Sequence, residues 1–289
     1  MTRQVGVCSW SLRPESPSDL VELVRATGAS CVQLALGPLC EGRWDAGETS
    51  RRLADAGVAI RSGMMATRGE DYSTLETIRR TGGVRPDEHW PANLAAAAAH
   101  ARVAAALGIG LVTFHAGFLP HEPRDPLRQV MLDRLREVAA AFSREGVGVG
   151  LETGQETAAT LLEVLDELGA ANVGVNFDPA NMILYGMGDP TAALQQLSAR
   201  VVQIHIKDAR AARRAGAWGE ETRFGEGEVD WTEFFRVVRE RSVAGDWMIE
   251  REGGDDRVSD IRSALSGIAL FAADGVASFA TNDGAGERR

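Results

Sequence analysis

Four apolar runs in this chain each end in a side chain that could hold a metal ion. VGVGLE closes on Glu152, and VGVNFDPAN carries Asp178 just past its apolar residues. VVQIHIKD carries His205 near its end, and DWMIE closes on Glu250. Pro179 follows Asp178 and has no N–H to offer a neighbouring strand, so the run stops there and Asp178 sits on a rim. Three carboxylates and one imidazole make a hard, mostly oxygen donor set. Such a set suits Mn²⁺ first, with Mg²⁺ and Co²⁺ also compatible, and it suits structural zinc less well. A salt bridge or helix cap explains any one strand-end acid about as well. It explains four consecutive ones much less well.

Other polar residues fall near the same strand ends. His115 ends LVTFH; it points into a pocket or is a satisfied core histidine. Lys207 lies two residues beyond His205 and shares its side of the strand. It either binds a substrate oxygen or pairs with Glu152 or Glu250. Gln155 follows the fifth strand and is a substrate contact or a plain loop residue. Glu226 sits among glycines in FGEGEVDW, where a turn role competes with a substrate role. Trp10, Trp90 and Trp218 fall in rim loops, where they cover a sugar face or simply pack. Arg210, Arg213 and Arg214 form a solvated charged loop or a phosphate site.

The rest of the chain reads as the scaffold for these tips. Short apolar strands are expected at Val5–Ser9, Cys31–Leu36, Val58–Met64, Leu111–His115, Val147–Glu152, Val173–Phe177, Val201–Lys207 and Trp247–Glu250. Helices are expected at Leu20–Thr27, Thr49–Ala56, Pro91–Leu107, Pro126–Glu145, Thr157–Leu168, Thr191–Ala199, Trp231–Arg241 and Asp255–Ala273, several stopped by glycine. Eight strand-then-helix units imply a parallel sheet that can close as a (β/α)8 TIM barrel, a single domain over residues 1–280. Residues 281–289 read as a disordered tail. An open doubly wound sheet would want a Gly-rich turn after its first strand, and CSWSLRPESP is not one. Met65–Trp90, with a short helix around Tyr72–Arg80, and Asp208–Val229 are the long connections. Both leave strand C-termini, where a parallel barrel keeps its active site, so both are expected to cover the pocket.

Composition narrows the partners. The 289 residues are 44% hydrophobic and carry a net charge of −10. That balance argues against nucleic acid, which asks for a basic face. No apolar run approaches the roughly 18 residues of a membrane span. The first strand starts almost at once with no signal-like run before it, so a cytoplasmic protein is expected. Its three cysteines are read as reduced and structural. A homo-oligomer is compatible with the sequence, which does not decide it.

The ends LETG, NFDPAN, IHIKD and MIEREGG resemble the xylose-isomerase-like sugar isomerase/epimerase barrels, relatives of D-tagatose 3-epimerase and inosose dehydratase. The resemblance covers nearly the whole chain. It implies a divalent metal on Glu152, Asp178, His205 and Glu250, with Glu152 and Glu250 as acid and base beside a carbonyl. This makes chemical sense. A cation that ligates a carbonyl and the adjacent hydroxyl stabilises the enediolate left by proton loss. Glutamates on opposite faces can remove and return that proton. The implied function is isomerisation or epimerisation of a sugar or sugar-like polyol. A keto-sugar or keto-inositol lyase or dehydratase is the alternative, and a non-catalytic sugar-binding barrel is a weaker one. Three positions depart from the epimerase pattern. Asn181 stands where a substrate-binding histidine is expected, Ala158 where a glutamate is expected, and Ala211 where an arginine is expected. The metal set is kept while sugar contacts differ, so the substrate, its phosphorylation and the reaction outcome stay open.

Overall fold

A computed structural model describes residues 3–214 and 216–273. Ten strands follow in order: β1 (Val5–Cys8), β2 (Cys31–Ala35), β3 (Ala59–Met64), β4 (Leu111–Phe114), β5 (Gly148–Glu152), β6 (Val173–Phe177), β7 (Val201–Ile206), β8 (Asp208–Arg210), β9 (Glu220–Thr222) and β10 (Asp246–Ile249). Eight of them form a closed parallel barrel in the order β1-β10-β7-β6-β5-β4-β3-β2. Val5 opposite Trp247 and Val7 opposite Ile249 close the ring. The single-domain (β/α)8 architecture expected from the alternation is therefore the one observed.

The helices are α1 (Pro17–Thr27), α2 (Gly37–Cys40), α3 (Ala46–Asp55), α4 (Leu75–Thr81), α5 (Trp90–Ala106), α6 (Pro126–Arg144), α7 (Ala158–Leu168), α8 (Pro179–Tyr185), α9 (Pro190–Leu197), α10 (Trp231–Glu240) and α11 (Arg257–Ala273). Their starts are chemically specified. Ser16, Asp45, Thr157, Asp189 and Asp230 each accept a backbone N–H of the first turn, satisfying a donor that the helix leaves free.

Strand alternation divides the side chains between two environments. Val32, Leu34, Phe177, Ile204 and Ile206 enter the main apolar core, which includes Leu161, Leu194 and Phe234 from the helices. The other parity faces the barrel axis, where Cys8, Cys31 and Met248 form a small separate cluster. Gly6 is required beside that cluster. A Cβ on it would lie 2.6 Å from the Cys31 carbonyl and 2.9 Å from the Met248 sulfur.

Element bounds differ from the sequence expectations by a few residues, and three features are additional. The turn α2 and the helix α8 follow β2 and β6 directly. The 208–229 connection is not simply a loop, because β8 and β9 pair antiparallel through Asp208–Thr222, Ala209–Glu221 and Arg210–Glu220. Those pairs are too short to carry a period-2 signal, and one buried carboxylate gathers the base of the arm. Asp208, buried, accepts N–H bonds from Gly225 at 2.8 Å, Gly227 at 3.2 Å and Val229 at 3.2 Å, and the Trp231 indole N–H at 2.9 Å. The tail expected at 281–289 lies outside the described residues.

Candidate active site

The strands β5, β6, β7 and β10 are neighbours in the ring, so their C-terminal ends converge. Glu152 is the last residue of β5, Asp178 follows β6, His205 lies in β7 and Glu250 follows β10. One donor atom from each lies within 4.8 Å of every other, and all four residues are buried. His205 Nδ1 is 3.3 Å from Glu152 Oε1, 3.5 Å from Glu250 Oε2 and 3.7 Å from Asp178 Oδ2.

Local structure fixes each donor. Asp178 donates its backbone N–H to the Thr153 hydroxyl at 2.8 Å, and that hydroxyl donates back to its carbonyl at 3.0 Å. Asp178 Oδ1 accepts the Asn181 N–H at 2.9 Å and caps α8, which turns Oδ2 toward the other donors. Glu152 accepts side-chain amide bonds from Asn176 at 3.1 Å and Asn181 at 3.0 Å. Glu250 accepts the Trp10 indole N–H at 2.7 Å and a Lys207 N–H at 2.9 Å.

Beneath them the barrel axis carries a polar layer. His205 Nε2 lies 2.8 Å from Gln33 Oε1, so Nε2 carries a proton and Nδ1 is the nitrogen that faces the carboxylates. Gln33 donates to Thr113 and to the Gly63 carbonyl. Gln203 donates to Gln33 and Asn176, and accepts from the Ser62 hydroxyl. These groups share hydrogen bonds across five strands, so the imidazole cannot rotate without unpairing several buried partners.

Two buried atoms at the convergence have no hydrogen-bond partner: Asp178 Oδ2 and His205 Nδ1. Buried polar atoms are normally paired, and here both orphans face the same centre. Together with two further carboxylates, this donor set fits a hard divalent cation. The electrostatics agree. Burial pushes the Asp178 carboxyl up to about 6. Burial opposes the Glu250 carboxylate too, but Lys207 and His205 outweigh it and hold Glu250 well below its ordinary range. Burial likewise opposes Glu152, which His115 and His205 bring below its usual value. Burial would lower the His205 imidazole, yet Glu152, Cys8 and Glu250 hold it well above its ordinary value. The centre is a place where positive charge is stabilised.

Two of the four donors, Glu152 and Glu250, line a cavity of about 520 Å³, within the range of small-molecule sites; Asp178 and His205 are buried beside them and are not part of its lining. His115, Asn181 and Lys207 line it. His115 Nε2 is 3.5 Å from Glu152 Oε1, and its Nδ1 is buried without a partner. Gln155 is buried and is not among the lining residues; neither of its amide atoms has a partner. The 65–90 connection contributes Met65, Ala66, Glu70 and Tyr72 to the wall, and the 208–229 arm contributes Trp218 and Glu221. Trp10 also lines the cavity, whereas Trp90 and Glu226 do not.

Sequence reasoning passed over several residues. Glu252 lines the cavity and pairs with Lys207 at 2.8 Å. Glu221 accepts N–H bonds from Glu252 and Gly253, tying the arm to the turn after β10. Cys8 lies with its sulfur 3.8 Å from His205 Nε2, and burial pushes its thiol up to about 12. For Gln33, Asn176 and Gln203 a signal existed: a lone amide inside CVQLA, VGVNF and VVQIHI. Lys207, by contrast, was singled out from the sequence, and one more signal marks it. It is the one lysine of the chain, all other cationic side chains of the 31 being arginine.

The family profile described as "Xylose isomerase-like TIM barrel" matches residues 21–270. A crystal structure of a xylose isomerase domain protein from Planctomyces limnophilus superposes with a TM-score of 0.80 at 30% identity, over 89% of this chain and 91% of that one. A xylose isomerase-like TIM barrel protein from Mycobacterium smegmatis, in complex with magnesium, gives a TM-score of 0.73 at 18% identity, over 96% and 98%. The 3-oxo-isoapionate decarboxylase of Pectobacterium atrosepticum is 28% identical over 124 residues, 41% of this chain. That match spans 45% of the decarboxylase's own length. Among the described residues, no helix is long and apolar enough to cross a membrane.

Proposed function

Because the chain belongs to the xylose isomerase-like TIM barrel family, we propose that it is a divalent-metal-dependent isomerase or epimerase of a sugar or sugar-like polyol. The observation that carries this reading is the cluster of four buried donors, two of which line the cavity, with Asp178 Oδ2 and His205 Nδ1 unpartnered. A solved relative of the same fold, the D-allulose 3-epimerase from Methylomonas sp., is in complex with D-allulose. Its 15% identity makes that a likeness of fold alone.

In this reading Glu152, Asp178, His205 and Glu250 hold one ion, Mn²⁺ by preference and Mg²⁺ or Co²⁺ as alternatives. When bound, the ion supplies Lewis-acid polarisation of a substrate carbonyl. Glu152 and Glu250 come from opposite sides of the Asp178–His205 pair. Each carboxylate has a second oxygen with which to take or return the proton on the carbon beside the carbonyl. Asn181 orients Glu152 through its amide, and Trp10 orients Glu250 through its indole N–H. His115, Asn181 and Lys207, which line the cavity, are assigned to substrate hydroxyls and to the oxygen that gains charge, whereas Gln155 is buried outside the lining and takes no such role. The wall of Phe114, Tyr185 and Trp218 excludes water from the C–H face.

A lyase is the second reading. The decarboxylase relative favours it. So does the Lys207 ammonium 2.9 Å from Glu250, a cation placed to stabilise a departing or developing anion. Both readings begin with charge developing on the same carbon. The test is exchange of substrate C–H with D₂O across ketoses, aldoses and keto-inositols, with Mn²⁺ present. Exchange with inversion or transposition supports the isomerase, and loss of a fragment supports the lyase. Absence of exchange and of turnover across the panel, with metal bound, would leave a sugar-binding barrel and refute the proposal.

A further inference from the structure

Lys207 is the chain's single lysine, and two carboxylates share its ammonium. It donates to Glu250 Oε2 at 2.9 Å and to Glu252 Oε2 at 2.8 Å, with Asn181 Oδ1 at 3.5 Å. The cavity wall beyond it is acidic. Glu70, Glu152, Glu221, Glu250 and Glu252 all line it, and Asp178 lies below. Arg251 pairs with Glu221 and Asp260, and Arg223 also pairs with Asp260, so Glu221 is offset. A divalent ion, Lys207 and Arg251 together offset four of the six carboxylates, so the cavity keeps a negative field. Trp218 Nε1 and His115 Nδ1 are meanwhile buried without partners, and both residues line the same space, beside the hydroxyl-bearing Tyr72 and Tyr185. A neutral hydroxyl, which both donates and accepts, can serve such groups. A phosphate or second carboxylate would meet Glu70 and Glu252, and the lining holds no lysine or arginine besides Lys207, which two carboxylates already share.

We infer that the site selects an uncharged polyhydroxy carbonyl compound, and that Glu252 and Glu70 form a charge filter rejecting phosphorylated and acidic analogues. The inference rests on the sugar reading above and adds the charge class of the substrate. Glu252 is the specificity-determining residue: its carboxylate caps Lys207 on the solvent side, where its side chain is 55% exposed.

Two measurements test this. Calorimetry on the Mn²⁺-loaded protein, over neutral hexoses and ketoses and their 6-phosphates, is expected to show each phosphate ester binding about 100-fold or more weakly than its parent. That ratio corresponds to about 2.7 kcal/mol. In the second arm, Trp218 reports the field without any substrate. Its fluorescence is isolated as the difference between the wild type and Trp218→Phe. Quenching by iodide is expected to rise about tenfold in Glu70→Gln/Glu252→Gln, while quenching by neutral acrylamide stays unchanged. A phosphate ester that binds as tightly as its parent sugar overturns the filter, and so does iodide access that ignores the two substitutions. If D₂O exchange fails for every sugar while iodide access responds as described, the catalytic reading falls and the filter stands.

Discussion

Asp178→Asn separates metal holding from folding because the two oxygens of Asp178 have different tasks. Oδ1 caps α8 through the Asn181 N–H, and Oδ2 is unpartnered at the centre. The amide keeps the cap acceptor and the shape but removes one of three clustered carboxylates. Stripped of metal, the variant should be as stable as the wild type or more so, since like charges are relieved. Metal should reverse the order. At an ion concentration of about 100 Kd, binding to the folded state alone adds about 2.7 kcal/mol. With an unfolding entropy of about 2.1 cal/mol/K per residue, the 289-residue chain gives about 600 cal/mol/K. The expected rise in Tm is therefore about 4–5 °C for the wild type. Asp178→Asn should show well under half of that at the same Mn²⁺ concentration. Differential scanning fluorimetry of chelator-treated protein, titrated with Mn²⁺ and then Mg²⁺, reads both quantities. A wild-type Tm that ignores both ions, or a variant that responds equally, would refute the four-donor site.

Further outcomes follow from the same geometry. Glu152→Gln and Glu250→Gln should each fold, retain part of the metal affinity through Asp178 and His205, and lose at least about 100-fold in kcat, a loss typical of removing a general base. In an epimerase each variant should still exchange the proton of one epimer with D₂O, whereas in a lyase the two variants should be unequal. Near-normal turnover in both would exclude the two-glutamate mechanism. Glu156 is buried, and burial pushes its carboxyl up to about 8. The folded state therefore holds this proton more tightly than the unfolded chain does. Stability from Glu156 is full below its ordinary value of 4.5 and declines as pH rises toward about 8. Glu156→Gln should be near neutral at pH 5 and stabilising at pH 9 by on the order of 1–3 kcal/mol. Parallel Tm–pH curves for the two proteins would contradict this.

The sequence by itself determined the barrel, and it pointed to the four side chains that the structure brings together, because both signals are local. Alternating short apolar runs with capped helices state the βα repeat, and a polar residue at a strand's C-terminal end states at which rim it will sit. Lys207, two residues past His205, was legible for the same reason. Closure of the ring decided the rest. Gln33, Asn176 and Gln203 come from separate strands, and only the barrel register brings their amides together beneath His205. Asn181 showed in sequence as a departure from an expected histidine; its reach to Glu152 depends on α8, a two-turn helix whose cap is Asp178 itself. Glu252 follows β10 outside any regular element, and Glu221 sits in β9, a strand too short to carry a period. Glu252 reaches Lys207, and its N–H reaches Glu221, because the β8–β9 arm, fastened by Asp208, comes beside the segment after β10. Spacing along a strand sets which face a side chain takes. Which charges then meet across the cavity depends on contacts between residues distant in the chain, and those exist only once the barrel has closed.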